Sequence, residues 1–349
     1  MRCSDLSSEL KEYWYIAAYS SDLRTRPAAR SILGMPLVLF RQENGAVAAL
    51  IDRCAHRNMA LSRGRVRRGS IECCYHGWRY GADGRCLEIP SFVAGEPPPA
   101  NAAVRTFPAA EKDGFIWVYM GVRNPAQPPP SFPHFSERRW TTFSMKTRFA
   151  ANALSCLENF LDCPHTVYVH TTWFRSRQAK EVRARVVPSE DGVEVEFFDE
   201  RARKSVVSRL LFPAGRKMMH TDRFIMPTTS RVEYSFGPDR YFIITSQCTP
   251  IGERETEVYT VISFRFGRIG ALVRLFFAPL ARLIIHQDVK VLQAQAEQME
   301  RFGESRFTFV KSDLVGPHIR ELWQRASPTG SQPTVLAVRA ESEDVILRF

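Results

Sequence analysis

Two short loops that each offer one thiol and one imidazole constrain this chain more than any other feature. The first reads Cys54-Ala55-His56; after sixteen intervening residues the second reads Cys73-Cys74-Tyr75-His76, followed by Gly77 and Trp78. Two Cys and two His in that order fit the ligand set of a [2Fe–2S] centre in which imidazoles replace thiolates on one iron. Tetrahedral zinc uses the same atoms, but the usual finger keeps its two Cys together and its two His together, and here each loop carries one of each. In the iron–sulfur reading Cys54 and Cys73 hold the buried iron, while His56 and His76 hold the outer one near solvent. Cys74 opens a second register, Cys74-x-His76, which copies the spacing of the first loop.

A chain of 349 residues has room for two domains with a core each, and 44% hydrophobic and 24% charged residues describe an ordinary globular protein. Short apolar runs at 13–18, 36–41, 46–51 and 115–120 read as strands, so the first domain, residues 1–123, is expected to be mostly β. Residues 124–135 hold Pro125, Pro128, Pro129, Pro130 and Pro133, a stiff extended linker. The second domain, 136–349, is expected to be an antiparallel sheet that holds a long C-terminal helix. Its strands are read at 140–148, 181–187, 193–198, 204–211, 231–236, 241–248 and 255–266, its helices at 151–161 and 271–301. The fold class is α+β, with a roomy pocket between sheet and helix.

Residues 1–10 are polar and carry Asp5 and Glu9, with no apolar h-region behind them, so a cytoplasmic chain with reduced thiols is expected; Cys3, Cys86, Cys156, Cys163 and Cys248 read as ordinary buried or surface thiols. The formal charge is +11, yet no basic-aromatic module for nucleic acid is apparent. Arg57, Arg63, Arg65, Arg67 and Arg68 lie between the metal loops, where they would steer an acidic ferredoxin or reductase; a solvated arginine-rich face is the competing reading. The apolar run 269–285 is interrupted by Arg274, Pro279 and Arg282, which makes it a poor membrane span and leaves weak interfacial contact with a membrane as an alternative.

A second metal site is expected further on. The stretch 158–170 contains Asp162-x-x-His165, then His170 five residues later. Two His and a carboxylate on one face of a ferrous ion leave positions open for O₂ and substrate. Asp162 and His165 would share a helix face, whereas His165 and His170 would diverge by about 140° on an ideal helix, so a break or widened turn between them is expected, helped by Pro164. The third ligand is read as Asp288, which falls on the apolar stripe of Ala281, Ile284, Ile285, Val291 and Leu292, where an unpaired carboxylate would be costly. His286, Glu297 and Glu300 are lesser candidates.

These motifs resemble those of the Rieske non-haem iron oxygenases, the homo-oligomeric monooxygenase and demethylase type among the ring-hydroxylating oxygenases. Their pattern C-x-H-R, then C-x-x-H-G-W-x-Y/F, is matched by Cys54, His56, Arg57, Cys73, His76, Gly77, Trp78 and Tyr80, with Cys74 standing where the family usually has Pro. The family's three-residue step favours Cys73 as the ligand. The resemblance implies an N-terminal all-β Rieske domain and a helix-grip, START-like catalytic domain. It also implies that Asp162 bridges a Rieske histidine of one subunit to an iron-ligating histidine of the next, hence a head-to-tail homotrimer, and that Asn159 sits near the iron. No G-x-G-x-x-G opens a βαβ unit, so electrons from NAD(P)H would arrive through a separate flavin reductase, with or without a ferredoxin. The expected reaction is hydroxylation or oxidative demethylation of a hydrophobic aromatic, steroid-like or alkaloid substrate with O₂. Dihydroxylation or oxidative cyclisation, an electron carrier without oxygenase chemistry, and a zinc-stabilised binding module are the rivals.

Overall fold

The computed structural model describes residues 8–93, 95–170, 181–198, 218–237, 240–267, 270–303, 306–326 and 341–348. The chain divides into two units, one formed by Met1–Ser131 with Thr249–Glu253, the other by Phe132–Cys248 with Arg254–Phe349.

The first unit opens with a single helical turn, α1 (Ser8–Lys11), and is otherwise built from short strands. In chain order these are β1 (Trp14–Tyr19), β2 (Ala28–Ile32), β3 (Met35–Arg41), β4 (Val47–Ile51), β5 (Arg65–Arg67), β6 (Ser70–Glu72), β7 (Arg79–Tyr80), β8 (Cys86–Glu88), β9 (Thr106–Phe107), β10 (Ala109–Lys112) and β11 (Phe115–Tyr119). They form three antiparallel sheets, β1-β11-β10, β2-β3-β4-β9 and β5-β6-β7-β8. The strongest strand in the sequence, Phe-Ile-Trp-Val-Tyr at β11, is buried at every position because it runs between β1 and β10. The second and third sheets share a core of Val38, Phe40, Leu50, Leu61, Ile71 and Tyr80, and both Cys54 and Cys73 belong to it. The proline-rich segment is tied down: Trp14 Nε1 donates to the Gln127 carbonyl at 2.8 Å and Lys112 Nζ to that of Pro129 at 2.6 Å.

Beyond the first 131 residues, the described residues form eight further strands: β12 (Thr141–Phe149), β13 (Glu181–Ser189), β14 (Gly192–Phe198), β15 (Met219–Ile225), β16 (Thr229–Ser235), β17 (Tyr241–Gly252), β18 (Glu255–Arg265) and β19 (Glu343–Arg348). They make one antiparallel sheet in the order β12-β18-β17-β16-β15-β14-β13-β19. Among the described residues the helices beside it are α2 (Ala153–Leu161), α3 (His165–Val169), α4 (Gly270–Phe302) and α5 (Gly316–Arg325). Asn152 caps α2 by accepting the Ser155 N–H at 2.9 Å. Buried residues of α4 recur at Val273, Phe277, Ala281, Ile284, Asp288 and Leu292, a helical stripe that packs Phe277 against Phe143, Phe242, Ile262 and Phe264 of the sheet. The helix runs through Pro279, whose exposed position lets the freed carbonyl meet water. Among the described residues α4 is the one helix long and apolar enough to cross a membrane, yet its inward stripe belongs to this core.

The structure differs from the sequence expectations at several places. A helix break precedes His165 in addition to the expected one ahead of His170: α2 ends at Leu161, Asp162 turns extended (φ −92°, ψ 91°), and His170 closes α3 with non-helical angles. Pro164 is the cause, since its ring prevents continuation from α2. Asp162 therefore shares no helix face with His165. Strand β15, helix α5 and edge strand β19 have no counterpart among the sequence expectations. The strand expected at 204–211 lies outside the described residues.

Candidate metal centres

The two Cys–His loops are hydrogen-bonded alike. Cys54 N–H donates to Met59 O at 2.8 Å and Asn58 N–H to Cys54 O at 3.1 Å; Cys73 N–H donates to Trp78 O at 2.8 Å and Gly77 N–H to Cys73 O at 3.0 Å. Each loop thus folds back on its own cysteine through a left-handed residue, Asn58 at φ 58° and Gly77 at φ 72°. At Gly77 a side chain is excluded twice over, because a Cβ would come within 2.9 Å of Pro90.

This geometry buries both thiols and turns both imidazoles outward. Cys54 and Cys73 are 1% and 2% exposed, whereas His56 is half-buried and His76 exposed, their rings 4.5 Å apart. Cys73 lies beside Cys54, and burial pushes its thiol up, with Cys54 adding to the rise; the thiol of Cys74 is exposed. The indole of Trp78 stacks flat on His56 at 4.6 Å. Tyr80 Oη lies 3.2 Å from Cys54 Sγ and accepts the Ala55 N–H at 3.2 Å. Burial, ahead of that sulfur contact, pushes the Tyr80 phenol far above its usual range, so it remains a donor. His56 Nδ1 is buried and lacks a hydrogen-bond partner, a state that is unfavourable unless some other ligand is met. Two buried thiols and an orphaned ring nitrogen fit an iron–sulfur cluster.

The second centre joins α3 and its C-cap to α4. Asp288 Oδ1 lies 3.6 Å from His165 Nε2 and 3.1 Å from His170 Nε2, and the three donor groups fall within 4.8 Å of one another. Asp288 is 5% and His170 2% exposed. Burial alone would raise the Asp288 carboxyl; the facing imidazoles bring it below its usual value, and against burial Asp288 raises His170. Despite these distances Asp288 Oδ1 makes no hydrogen bond of good geometry. Two nitrogens and a carboxylate converging on one point without bonding each other are what a shared metal ion requires. The outer ring nitrogens are both engaged: His165 Nδ1 donates to the Asp162 carbonyl, and His170 Nδ1 lies 2.7 Å from Gln287 Oε1. Such contacts set which nitrogen faces the metal. His286, Glu297 and Glu300 are exposed and take no part.

Asp162 and Asn159 line a cleft of about 310 Å³ with Glu158, His165, Phe307 and Asp313. The Asp162 carboxylate is 43% exposed, 3.9 Å from His165 Nδ1, and raised by burial with partial offset from His165. The Asn159 Oδ1 is buried without a partner. Behind the cleft Arg320 of α5 pairs with Glu158 of α2, its guanidinium 3.7 Å over the Phe307 ring.

Comparison with known proteins places both halves. Residues 13–108 match the Rieske [2Fe-2S] domain, and residues 149–327, just over half of the chain, match the vanillate O-demethylase oxygenase C-terminal domain. The chain belongs to the Rieske non-haem iron oxygenases. Among these oxygenases, the dicamba O-demethylase oxygenase component of Stenotrophomonas maltophilia is 36% identical over 165 residues, 46% of this chain and 48% of that one. The putative toluene-4-sulfonate monooxygenase iron-sulfur subunit TsaM2 of Comamonas testosteroni is 35% identical over 176 residues, half of each chain. Aminopyrrolnitrin oxygenase PrnD of Pseudomonas fluorescens is 25% identical over 82% of this chain and 85% of its own. The alignments with the first of these curated relatives span about half their length or less. Dicamba monooxygenase bound to dicamba shares the fold of this Rieske oxygenase with a TM-score of 0.78 at 24% identity, covering 90% of this chain and 98% of that one. The cofactors of the family are the Rieske [2Fe–2S] cluster and a non-haem iron.

Sequence reasoning passed over Gln287 and a second buried group, Cys163, His220 and Asp222, whose ligating atoms also lie within 4.8 Å of one another. For Gln287 the available signal was its place next to Asp288. For the second group there was none, because its members come from distant segments.

Proposed function

We infer that this chain is the oxygenase component of a multi-component system. It would use O₂ and electrons from a separate reductase or ferredoxin to hydroxylate or oxidatively demethylate a hydrophobic, ring-containing small molecule. The observation that carries this reading is the convergence of His165 and His170, from the two ends of α3, with Asp288 of α4, in a chain that also presents Cys54, Cys73, His56 and His76 on paired loops. An electron carrier has no use for the first set.

In this reading Cys54, Cys73, His56 and His76 hold the [2Fe–2S] cluster and His165, His170 and Asp288 hold ferrous iron. Bound there, the two groups supply one-electron storage and dioxygen activation. The protein's own part is orientation and exclusion of water. Gln287 and the Asp162 carbonyl fix the tautomers of His170 and His165. The half-exposed Asp162 carboxylate can accept an imidazole N–H from a second copy of the chain, in keeping with a head-to-tail homotrimer. Asn159 offers a buried amide oxygen beside it to a water or a ligand. Arg57, Arg63 and Arg68, exposed around the cluster loops, suit an acidic electron donor, while Arg65 and Arg67 are tied to Glu72. We assign the protein to the cytoplasm; weak contact with a membrane surface would involve the exposed Leu272, Leu275 and Phe276 of α4.

The test is O₂ uptake coupled to product mass, with the anaerobically purified protein, a reductase and a panel of methoxylated, N-methylated and unsubstituted ring compounds. Substrate-dependent O₂ consumption that His165→Ala abolishes, with cluster absorbance retained, supports the reading. Zinc in place of iron and acid-labile sulfide would reject it.

A further inference from the structure

His220 and Asp222 alternate on β15 and so project to one face of the sheet. Cross-strand register sets His220 level with Tyr234 and Phe242, and Asp222 level with Val232 and Ile244. This is the face that α4 covers, since Phe242 meets Phe277 edge-on at 5.1 Å. The metal ligands stand on the same side: Cys163, two residues before His165, has its Sγ 3.6 Å from Asp222 Oδ2. The His220 ring is sandwiched between Phe197 at 4.5 Å and Tyr234 at 4.3 Å, and its Nε2 lies 2.9 Å from Asp222 Oδ1. A carboxylate only accepts, so Nε2 carries the proton.

Both side chains are nearly inaccessible, 1% and 2% exposed. Taking a carboxylate out of water costs several kcal/mol, and a sheet position of this kind would hold valine without that cost. A carboxylate has about four lone-pair sites, of which two are accounted for here. Around the pair the inward face of the sheet is unevenly covered. Val232, Tyr234 and Ile244 share the inward face with the fully buried Phe264, yet they are only half-buried, as is Ile285 on α4. An apolar, aromatic-lined face with one fixed acceptor beside the candidate iron ligands has the composition of a ligand site.

We propose that Asp222, oriented by His220, is the polar anchor of a substrate subsite between the sheet and α4. It selects ring-bearing substrates that present a hydrogen-bond donor, an amine or a hydroxyl, and it rejects those that present a carboxylate there. This rests on the oxygenase reading and names its substrate class. Tyr234 and Phe242 supply the apolar wall for the ring, and a like charge facing Asp222 in a desolvated site is the repulsive element.

The experiment is calorimetric titration of the full-length ferrous protein, without O₂ or reductant, against matched triplets on benzene, naphthalene and indole scaffolds: methoxyarylmethylamine, the corresponding alcohol and the corresponding carboxylate. The donor-bearing member of a triplet should bind about tenfold or more tightly than the carboxylate, as expected for one charge-assisted hydrogen bond. Asp222→Asn should erase most of that ratio, and Asp222→Val should erase it while leaving unsubstituted naphthalene bound. Amine over alcohol identifies a cationic group as the preferred donor; equal binding identifies any donor. Carboxylates binding as tightly as amines, no binding by any donor-bearing member, or a ratio unchanged in Asp222→Asn would overturn the proposal. So would a metal ion beyond the cluster and mononuclear iron that is lost in Asp222→Asn, since Cys163, His220 and Asp222 would then be its ligands. Ligands that bind with the expected preference but never stimulate O₂ uptake would defeat the oxygenase reading and leave the subsite standing.

Discussion

The side-chain oxygen of Gln287 accepts a hydrogen bond from His170 Nδ1 at 2.7 Å, which turns Nε2 of the same ring toward Asp288 Oδ1 at 3.1 Å. Consecutive residues of α4 therefore grip one imidazole from both ends. Gln287→Leu removes the outer grip without adding charge, and ferrous affinity should fall about 10- to 100-fold, the usual cost of losing a partner behind a metal-bound histidine. Gln287→Glu, which keeps an acceptor, should recover most of it. Competition titration with a ferrous chelator measures both; equal affinities in all three proteins would show that the bond orients nothing.

Tyr80 offers its hydroxyl to Cys54 Sγ at 3.2 Å. Hydrogen bonds to cluster sulfurs stabilise the reduced, more negative state. Tyr80→Phe should therefore lower the cluster potential by about 40–60 mV, the one-electron equivalent of roughly 1–1.5 kcal/mol for one bond. Redox titration followed by EPR reads the shift, and an unchanged or raised potential would contradict this assignment.

Asp162 stands apart from the three side chains that converge on the second metal position, with its carboxylate 3.9 Å from His165 Nδ1. Asp162→Asn is expected to retain iron and sulfide in full while turnover drops by at least about tenfold, the scale of a residue acting through a ligand. Metal analysis beside single-turnover kinetics separates the two effects. Full turnover would remove Asp162 from the pathway between subunits.

Arg41 of β3 and Glu111 of β10 form a two-pronged pair at 2.8 and 2.9 Å. The Arg41 hydrogen bonds hold the Glu111 carboxyl below its usual value, outweighing partial burial. A carboxylate with a depressed folded pKa stabilises the fold above its unfolded pKa, and that contribution is lost as pH falls through the folded value. With side chains 25% and 35% exposed the pair is screened, so its worth is roughly 0.5–1 kcal/mol. Glu111→Gln should lower the urea midpoint at neutral pH, and the gap from wild type should close between about pH 5 and pH 3. A gap independent of pH would assign the effect to packing instead.

Local chemistry made much of this protein legible in its sequence. The paired Cys–His loops declare a metal site because few other arrangements place thiol and imidazole together twice. Asp288 stood out because a carboxylate on the stripe of Ala281 and Ile284 is intolerable without a partner. Strand β15 was missed for the complementary reason. Two of its three inward positions, His220 and Asp222, are polar and only Phe224 is apolar, so the hydrophobic alternation that marks a half-buried strand is lost there, and only the neighbouring strands disclose which side faces the core. Edge strand β19 is specified by its pairing with β13 far earlier in the chain.

What the sequence determined by itself is the inventory of candidate ligands, because donor type and short spacing are local properties of the chain. What only the tertiary structure decided is their company. Burial separates Cys73 from its exposed neighbour Cys74, and residues 117 positions apart meet as His170 and Gln287. Cys163 likewise comes within reach of Asp222 from a distant segment. Desolvation and long-range contact depend on how the sheet and α4 close over one another, and no window along the sequence contains that information.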